Sequence, residues 1–243
     1  MHGKHIPAKL DEDTPLRLDV KIDDSVIEQV SSHKILGVVI HSQMNDESHI
    51  DELCKKLSKR IGLLKHISPF LKQRQRETYY NGVIKPTLLY RSMIWDSCNV
   101  EHLQSIWKLQ KRAARFILDA KRLTPSVVLF NNLNWSPFTE QSLKKRCALL
   151  YKRVYNCITP IYLDSLLVRN SEIHNRATRH SNINLVCPKY KRKTGGRTFT
   201  TRTMKDWNCM NANIRNNGSL ASFKHNIFKS FLAEQKAAML LRP

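Results

Sequence analysis

The stretch KLQKRAARFILDAKR, residues 108 to 122, leaves a chain few ways to fold. Ile106, Leu109, Ala113, Phe116, Ile117 and Ala120 recur at the i, i+3, i+4, i+7 spacing that places them on one face of a helix. At about 100° per residue, Lys108, Lys111, Arg112, Arg115 and Arg122 fall on the opposite side, with Lys121 on the flank. Six bases stand against a single acid, Asp119. A plain solvated face usually mixes its signs, because like charges one turn apart repel. A stripe of one sign is relieved by a polyanion.

The charge of the whole chain is uneven in the same sense. Net charge is +21 over 243 residues. Residues 1 to 50 carry a net of −4 and residues 51 to 243 a net of +25. The basic part is therefore expected to face phosphate, RNA or DNA, and the first fifty residues are not. No long apolar run or signal-peptide core is present, so a membrane is not the expected partner. Cys54, Cys98, Cys147, Cys157, Cys187 and Cys209 are scattered and form no C-x-x-C pair. Cys54, Cys147 and Cys157 sit in apolar helical patterns, as buried thiols do. A reducing, intracellular compartment without a disulfide framework is expected.

Along the chain, Leu16, Leu18, Val20 and Ile22 alternate with polar neighbours, the period of a strand. Asp23-Asp24-Ser25 reads as a turn, Val26 to Val30 as the return strand, and Lys34 to Ile40 as a third, more buried strand. Ser48-His-Ile-Asp51 reads as a capping box opening a helix with Ile50, Leu53, Cys54, Leu57, Ile61 and Leu64 inward. Lys55, Lys56 and Lys59 lie away from that face, and Ser68-Pro69 ends the helix. A second helix is expected over roughly 73 to 84, presenting Tyr80, Val83 and Ile84, with Pro86 limiting or kinking it. After Thr124-Pro125 come a short helix and then a long one, about 139 to 157. The long helix turns Leu143, Cys147, Leu150 and Val154 inward, Lys145 and Lys152 outward, and puts Lys144 and Arg153 on its flanks. Residues 171 to 205 are polar, basic and poor in helical period. A last helix carries Leu220, Phe223, Ile227, Phe228 and Leu232.

Motifs for chemistry are sparse. Asp23-Asp24 could hold Mg²⁺ for nucleotidyl transfer, but Asp and Ser also suit a hairpin turn, and the turn is the stronger reading. The residue two before the pair is Lys21, where the polymerase signature has an aromatic. His174, His180 and Cys187 lack the paired spacing of a zinc site, and no metal is expected. Gly195-Gly196, within KYKRKTGGRTFTTRTMK, is either a phosphate-contacting loop or a plain turn. Lys191, Arg192, Lys193 and Arg197 around it are candidate phosphate contacts. Of the tryptophans, Trp95 and Trp135 are expected in the core.

HKILGVVIHSQMNDESHIDELCKKLSKRIGLLKHISPFL resembles the segment just after the catalytic core of non-LTR (LINE-type) retrotransposon reverse transcriptases. ETYYNGVIKPTLLYRSMIW and LQKRAARFIL continue the resemblance, and NRATRHSNINL, GGRTFTTRTMKDWN and SLASFKHNIFKSFL are similar to the C-terminal region of the same proteins. It implies that Leu36-Gly37 corresponds to the primer-grip hairpin and that residues from about 48 to 122 correspond to the thumb. It also implies that the metal-binding aspartates of the palm, and their Mg²⁺, lie upstream of Leu16. Arg91 stands where the family usually has glycine, and Cys209-Met210-Asn211 replaces its usual S-L-P after Trp-Asn.

The expected fold is mainly α. An N-terminal β-hairpin or three short strands (1–45) precede a thumb-like helical bundle (46–125) and a basic, partly helical C-terminal region (126–243) with a loop-rich stretch at 170–205. The expected function is a non-catalytic grip on the backbone of RNA, DNA or an RNA–DNA hybrid, with no cofactor in this chain. Two alternatives stand beside it: part of an active reverse transcriptase when joined to an upstream palm, and a basic interaction protein recruited by a host.

Overall fold

A computed structural model describes residues 20–23, 25–43, 46–156, 167–173, 184–191, 193–227 and 229–230. The chain divides at Asn45/Asp46 into two compact units. The architecture is mainly α with short antiparallel strand pairs near the N-terminus.

Among the described residues, the first unit holds four short strands in two separate pairs. β1 (Lys21–Ile22) pairs with β2 (Ser25–Val26), and β3 (Ser32–Ile35) with β4 (Val38–His41). The Ile22↔Ser25 register places Asp23 in the turn after β1, at a φ of 52°; Asp24 lies outside the described residues. That left-handed conformation is what a twisted hairpin requires, and Asp tolerates it better than most residues. The expected single strand over Lys34–Ile40 is instead a hairpin. Ile35 pairs with Val38, and Leu36 and Gly37 turn between them with φ of 49° and 84°. Gly37 lets the chain reverse. The hairpin is also not buried as expected: only Val38 is, and Val20, Ile22, Ile35, Leu36 and Ile40 are exposed.

The second unit opens with α1 (Glu47–Ile67). Asp46 is its N-cap and makes no side-chain cap bond, so the expected capping box at Ser48 lies inside the helix. Ile50, Leu53, Leu57, Ile61 and Leu64 are buried as expected, whereas Cys54 is half-buried. A 3₁₀ turn, Ser68–Phe70, ends the helix at the expected place. From α2 (Gln73–Tyr79) the chain runs without a break through a π turn (Tyr80–Ile84) into α3 (Lys85–Leu88). Pro86 therefore neither stops nor sharply limits the helix. Its missing N–H and bulky ring are accommodated by widening the preceding turn. The Val83 carbonyl there accepts from Arg60 Nη1 (2.7 Å) and Thr87 Oγ1 (3.0 Å).

The short α4 (Ser92–Trp95) follows Arg91, which takes the left-handed conformation at φ 48° and ψ 26°. The family resemblance places glycine at this position, and the backbone explains why. α5 (Val100–Leu118) ends four residues before Arg122, because Asp119 turns left-handed at φ 51°. Arg76 seals that end: its Nη1 donates to the carbonyls of Phe116 (3.1 Å) and Ile117 (3.3 Å). A cation there offsets the helix dipole and occupies orphan carbonyls. The buried face of α5 is Ile106, Gln110, Ala113, Ala114 and Ile117, slightly rotated from the expected one, and Leu109 and Phe116 are half-buried. Gln110 is tolerated because both ends bond: Nε2 donates to the Ser136 carbonyl and Oε1 accepts from the Phe138 N–H.

α6 (Ser126–Asn132) and α7 (Phe138–Asn156) follow. Leu129, Phe130, Leu133 and Phe138 join the core of α1 and α5, so position 125 marks no break in packing. The other face of α7 founds a second core: Cys147, Leu150 and Tyr151 pack with Leu185, Met204, Trp207, Phe223 and Ile227. Between these come α8 (Asn170–Ile173), α9 (Lys193–Arg197), α10 (Phe199–Cys209), α11 (Ala212–Arg215) and α12 (220–227). The stretch 171–205, expected to lack helical period, thus contains most of α10. Thr198 caps that helix by accepting from the Thr201 N–H, and its buried face is Thr201, Thr203, Met204 and Trp207. Two inward threonines hid the period from a hydrophobic reading.

A buried ionic knot joins the two cores. Asp96, just after α4, accepts from Arg146 of α7 through Oδ2 and from Arg202 of α10 through Oδ1 at 2.7 Å. Ser142 Oγ also donates to Asp96 Oδ2 at 2.6 Å, and Arg146 Nη2 reaches Asp206 Oδ2 at 2.7 Å. Both Asp96 oxygens are occupied by structural partners. Removing one partner of such a buried pair leaves an uncompensated charge and costs about 3–5 kcal/mol. Asp96→Asn is therefore expected to lower the unfolding free energy in urea by roughly 3 kcal/mol. Arg91→Gly is expected to raise it by about 1 kcal/mol through relief of the left-handed strain; a fall would show that the Arg91 guanidinium over the Tyr90 ring matters more than its backbone.

Candidate nucleic-acid interface

Helical geometry turns the basic residues outward. On α5 the buried face leaves Lys108, Lys111, Arg112 and Arg115 as one contiguous stripe on the opposite side. Lys108 and Arg112 are exposed, and Lys111 and Arg115 half-buried. Lys111 Nζ lies 5.4 Å from the centre of the Trp107 ring, and the Arg112 guanidinium 5.8 Å from that of Phe116. These rings hold the cations by their stems and faces without neutralising them. Desolvation, then repulsion from Arg115 and Lys108, pushes the Lys111 ammonium below its usual range. Among the described residues no carboxylate pairs with Lys108, Lys111 or Arg112.

Lys55, Lys56 and Lys59 are exposed on the outer side of α1. Lys56 is partly compensated by Glu52, one turn earlier at 3.4 Å. α1 and α5 pack through their apolar faces, so both basic sides point away from the shared core. Arg122 lies beyond the helix and does not continue the stripe as expected; it is exposed in the turn after Asp119. Lys191 is exposed, Arg192 lies outside the described residues, and of Lys193 only the helical backbone is described. Arg197 bonds Asn99 Oδ1 at 2.7 Å, at the N-terminal end of α5. Nine to sixteen residues separate that end from the stripe, about 13–24 Å along the axis. Arg197 and the α5 stripe therefore belong to separate patches. Leu36 and Gly37 form the hairpin turn of the first unit.

Gly195-Gly196 is neither an open loop nor a free turn. Both residues lie in α9 under the Tyr190 ring. A Cβ on Gly195 would stand 2.7 Å from Tyr190 Cβ, and one on Gly196 3.0 Å from the ring. Lys205 Nζ donates to Tyr190 Oη at 2.6 Å, which raises the lysine above its usual range. His174 and His180 lie outside the described residues, as does Cys157. Among the described residues no group of three His, Cys, Asp or Glu side chains could hold a metal ion, and no helix is long and apolar enough to cross a membrane. Trp95 is fully buried as expected, whereas Trp135 is half-buried and stacks on Tyr80 at 3.9 Å between ring centres.

A further basic group was not singled out by the helix stripe. Lys85 of α3, Lys144, Lys145 and Lys152 of α7 and Lys224 of α12 surround a cavity of about 550 Å³. The i, i+7 spacing of Lys145 and Lys152 was visible in the sequence as an outward face; Lys85 and Lys224 join it only through folding.

A comparison with curated proteins finds similarity to the probable RNA-directed DNA polymerase from transposon BS of Drosophila melanogaster, 22% identical over 131 residues. The match covers 53% of this chain and 14% of that protein. This similarity supports a reverse-transcriptase-related origin. No family model matches the chain, and no solved structure matches it.

The glycine packing is open to a direct check. Gly195→Ala is expected to lower the thermal midpoint, since the new methyl meets a Cβ that cannot swing aside, an overpacking cost of about 1–3 kcal/mol. An unchanged or higher midpoint would mean that helix propensity outweighs the Tyr190 contact.

Proposed function

We propose that the second unit holds a nucleic-acid duplex by its sugar–phosphate backbone, as the thumb-like part of a reverse-transcriptase-related protein. The observation that carries this reading is the stripe Lys108, Lys111, Arg112 and Arg115, packed one turn apart on a rigid helix with no compensating acid among the described residues. Backbone contacts position a protein on a duplex without reading its sequence, and they need fixed cations rather than base-matching side chains. A helix anchored along its whole buried face supplies them. Lys55 and Lys59 on α1 extend the same chemistry.

The similarity to a transposon polymerase points in the same direction. In this reading the duplex is a primer–template, and the Leu36-Gly37 hairpin steadies the primer end. Nucleotidyl transfer and its Mg²⁺ belong to a palm to which this chain would be joined. This chain grips and does not polymerise. Asp23 then serves as a left-handed turn residue rather than a metal ligand.

Lys108→Glu with Arg112→Glu tests the stripe, because both side chains are exposed and the fold does not depend on them. In a gel shift with an RNA–DNA hybrid, the double variant is expected to bind at least about tenfold more weakly than the parent. Equal affinity would remove the stripe from the interface. Primer extension by this chain alone, with Mg²⁺ and template, is expected to give no product; an extended primer would overturn the assignment of chemistry to another segment.

A further inference from the structure

The cavity bounded by α3, α7 and α12 has no place in the duplex-gripping reading. Its wall combines clustered cations with an aromatic face. Five of its fourteen lining residues are lysines, and none is acidic. Trp135 also lines it, fixed in place by stacking on Tyr80 with an interplanar angle of 22° and by the edge of Phe130. Lys145 is held by donating from Nζ to the Leu89 carbonyl at 2.7 Å.

We propose that this cavity binds a phosphorylated nucleotide unit, with its phosphate among Lys85, Lys144, Lys145, Lys152 and Lys224 and its base against Trp135. Three considerations select this ligand. Lysine ammonium groups are compact point charges with rotatable donors, suited to phosphate oxygens from several directions. An aromatic wall beside clustered cations accepts the π-face of any base. The cavity volume of about 550 Å³ falls within the range of small-molecule sites and exceeds what one inorganic anion needs. The crowding of like charge is also felt by the residues themselves. Desolvation, then Lys224 and Lys85, pushes the Lys144 ammonium down, and desolvation with Lys85 does the same to Lys145. A bound phosphate would relieve that repulsion.

The inference does not depend on the duplex-gripping reading, and one set of variants separates the two. The full chain is titrated at 0.15 M salt with 5′-AMP and with a short 5′-phosphorylated single-stranded oligonucleotide, read by tryptophan fluorescence. Inorganic phosphate and an Asp/Glu-rich peptide are the comparison ligands. Quenching is expected with both nucleotide ligands and is expected to vanish in Trp135→Phe, which keeps an aromatic ring. Lys152→Glu with Lys224→Glu, both exposed, is expected to weaken nucleotide binding by at least about tenfold while hybrid-duplex binding changes by less than about twofold. Lys108→Glu with Arg112→Glu is expected to do the reverse. Tighter binding of the oligonucleotide than of AMP identifies a strand end as the source of the ligand; equal binding identifies a free nucleotide. Undiminished nucleotide affinity in the Lys152/Lys224 variant overturns the proposal. So does inorganic phosphate or the acidic peptide binding as tightly as the nucleotides.

Discussion

The carboxylate of Asp96 sits where two hydrophobic cores meet, and its partners hold the elements of both cores in register. Arg146 comes to it from the middle of α7 and Arg202 from α10, so one buried acid ties three elements that are distant in sequence. Neither core extends through this junction: one gathers around α1 and α5, the other around Tyr151, Trp207 and Phe223. The ionic knot orients α7 between them. A buried ion pair is a poor source of net stability against an apolar substitute, but it is strict about geometry, since a misplaced partner leaves a buried charge bare. Here that strictness fixes which residues of α7 face each core, and therefore which lysines of α7 face the cavity beside α3.

The outer charges follow from the same packing. Once Ile106, Ala113, Ala114 and Ile117 are committed to the core, the bases of α5 must stand outward together. Arg76 closes the C-terminal end of the helix, and Asp119 turns the chain away immediately afterwards. The stripe thus belongs to a rigid, capped rod rather than a fraying end, which suits repeated contact with a regular phosphate backbone. The lysines around Trp135 are arranged differently. They converge on a concave space from three elements, which suits a discrete ligand rather than a rod-shaped one.

The apolar face of α1 was legible in the sequence because its leucines and isoleucines keep helical period for about four turns, from Ile50 to Leu64; Cys54 is only half-buried, and the buried His49 was not foreseen. The face of α5 was legible to within a small rotation; Gln110 and Ala114 carry little hydrophobic signal, and Gln110 is buried through tertiary amide bonds to Ser136 and Phe138. The hairpin at Leu36-Gly37 was concealed inside an apolar run, where only Gly37 marked the reversal, and a family resemblance pointed to it more clearly than periodicity did. Helix α10 was hidden by Thr201 and Thr203, polar residues that turn inward. Arg146 could not be foreseen at all: its partners Asp96 and Asp206 lie 50 and 60 residues away, and only tertiary packing brings them together. The α5 stripe needed one helix to be recognised, whereas the lysine cavity needed three.

The central claim is that this molecule meets nucleic acid through Coulomb contact with phosphates. Its most direct test is the equilibrium affinity of the chain for a hybrid duplex measured across a range of salt concentrations. The account predicts that log affinity falls linearly with log salt, with a slope of about −0.9 for each phosphate neutralised on B-form duplex and a comparable one on a hybrid. An affinity that stays level as salt rises, or no binding in dilute buffer, would contradict it.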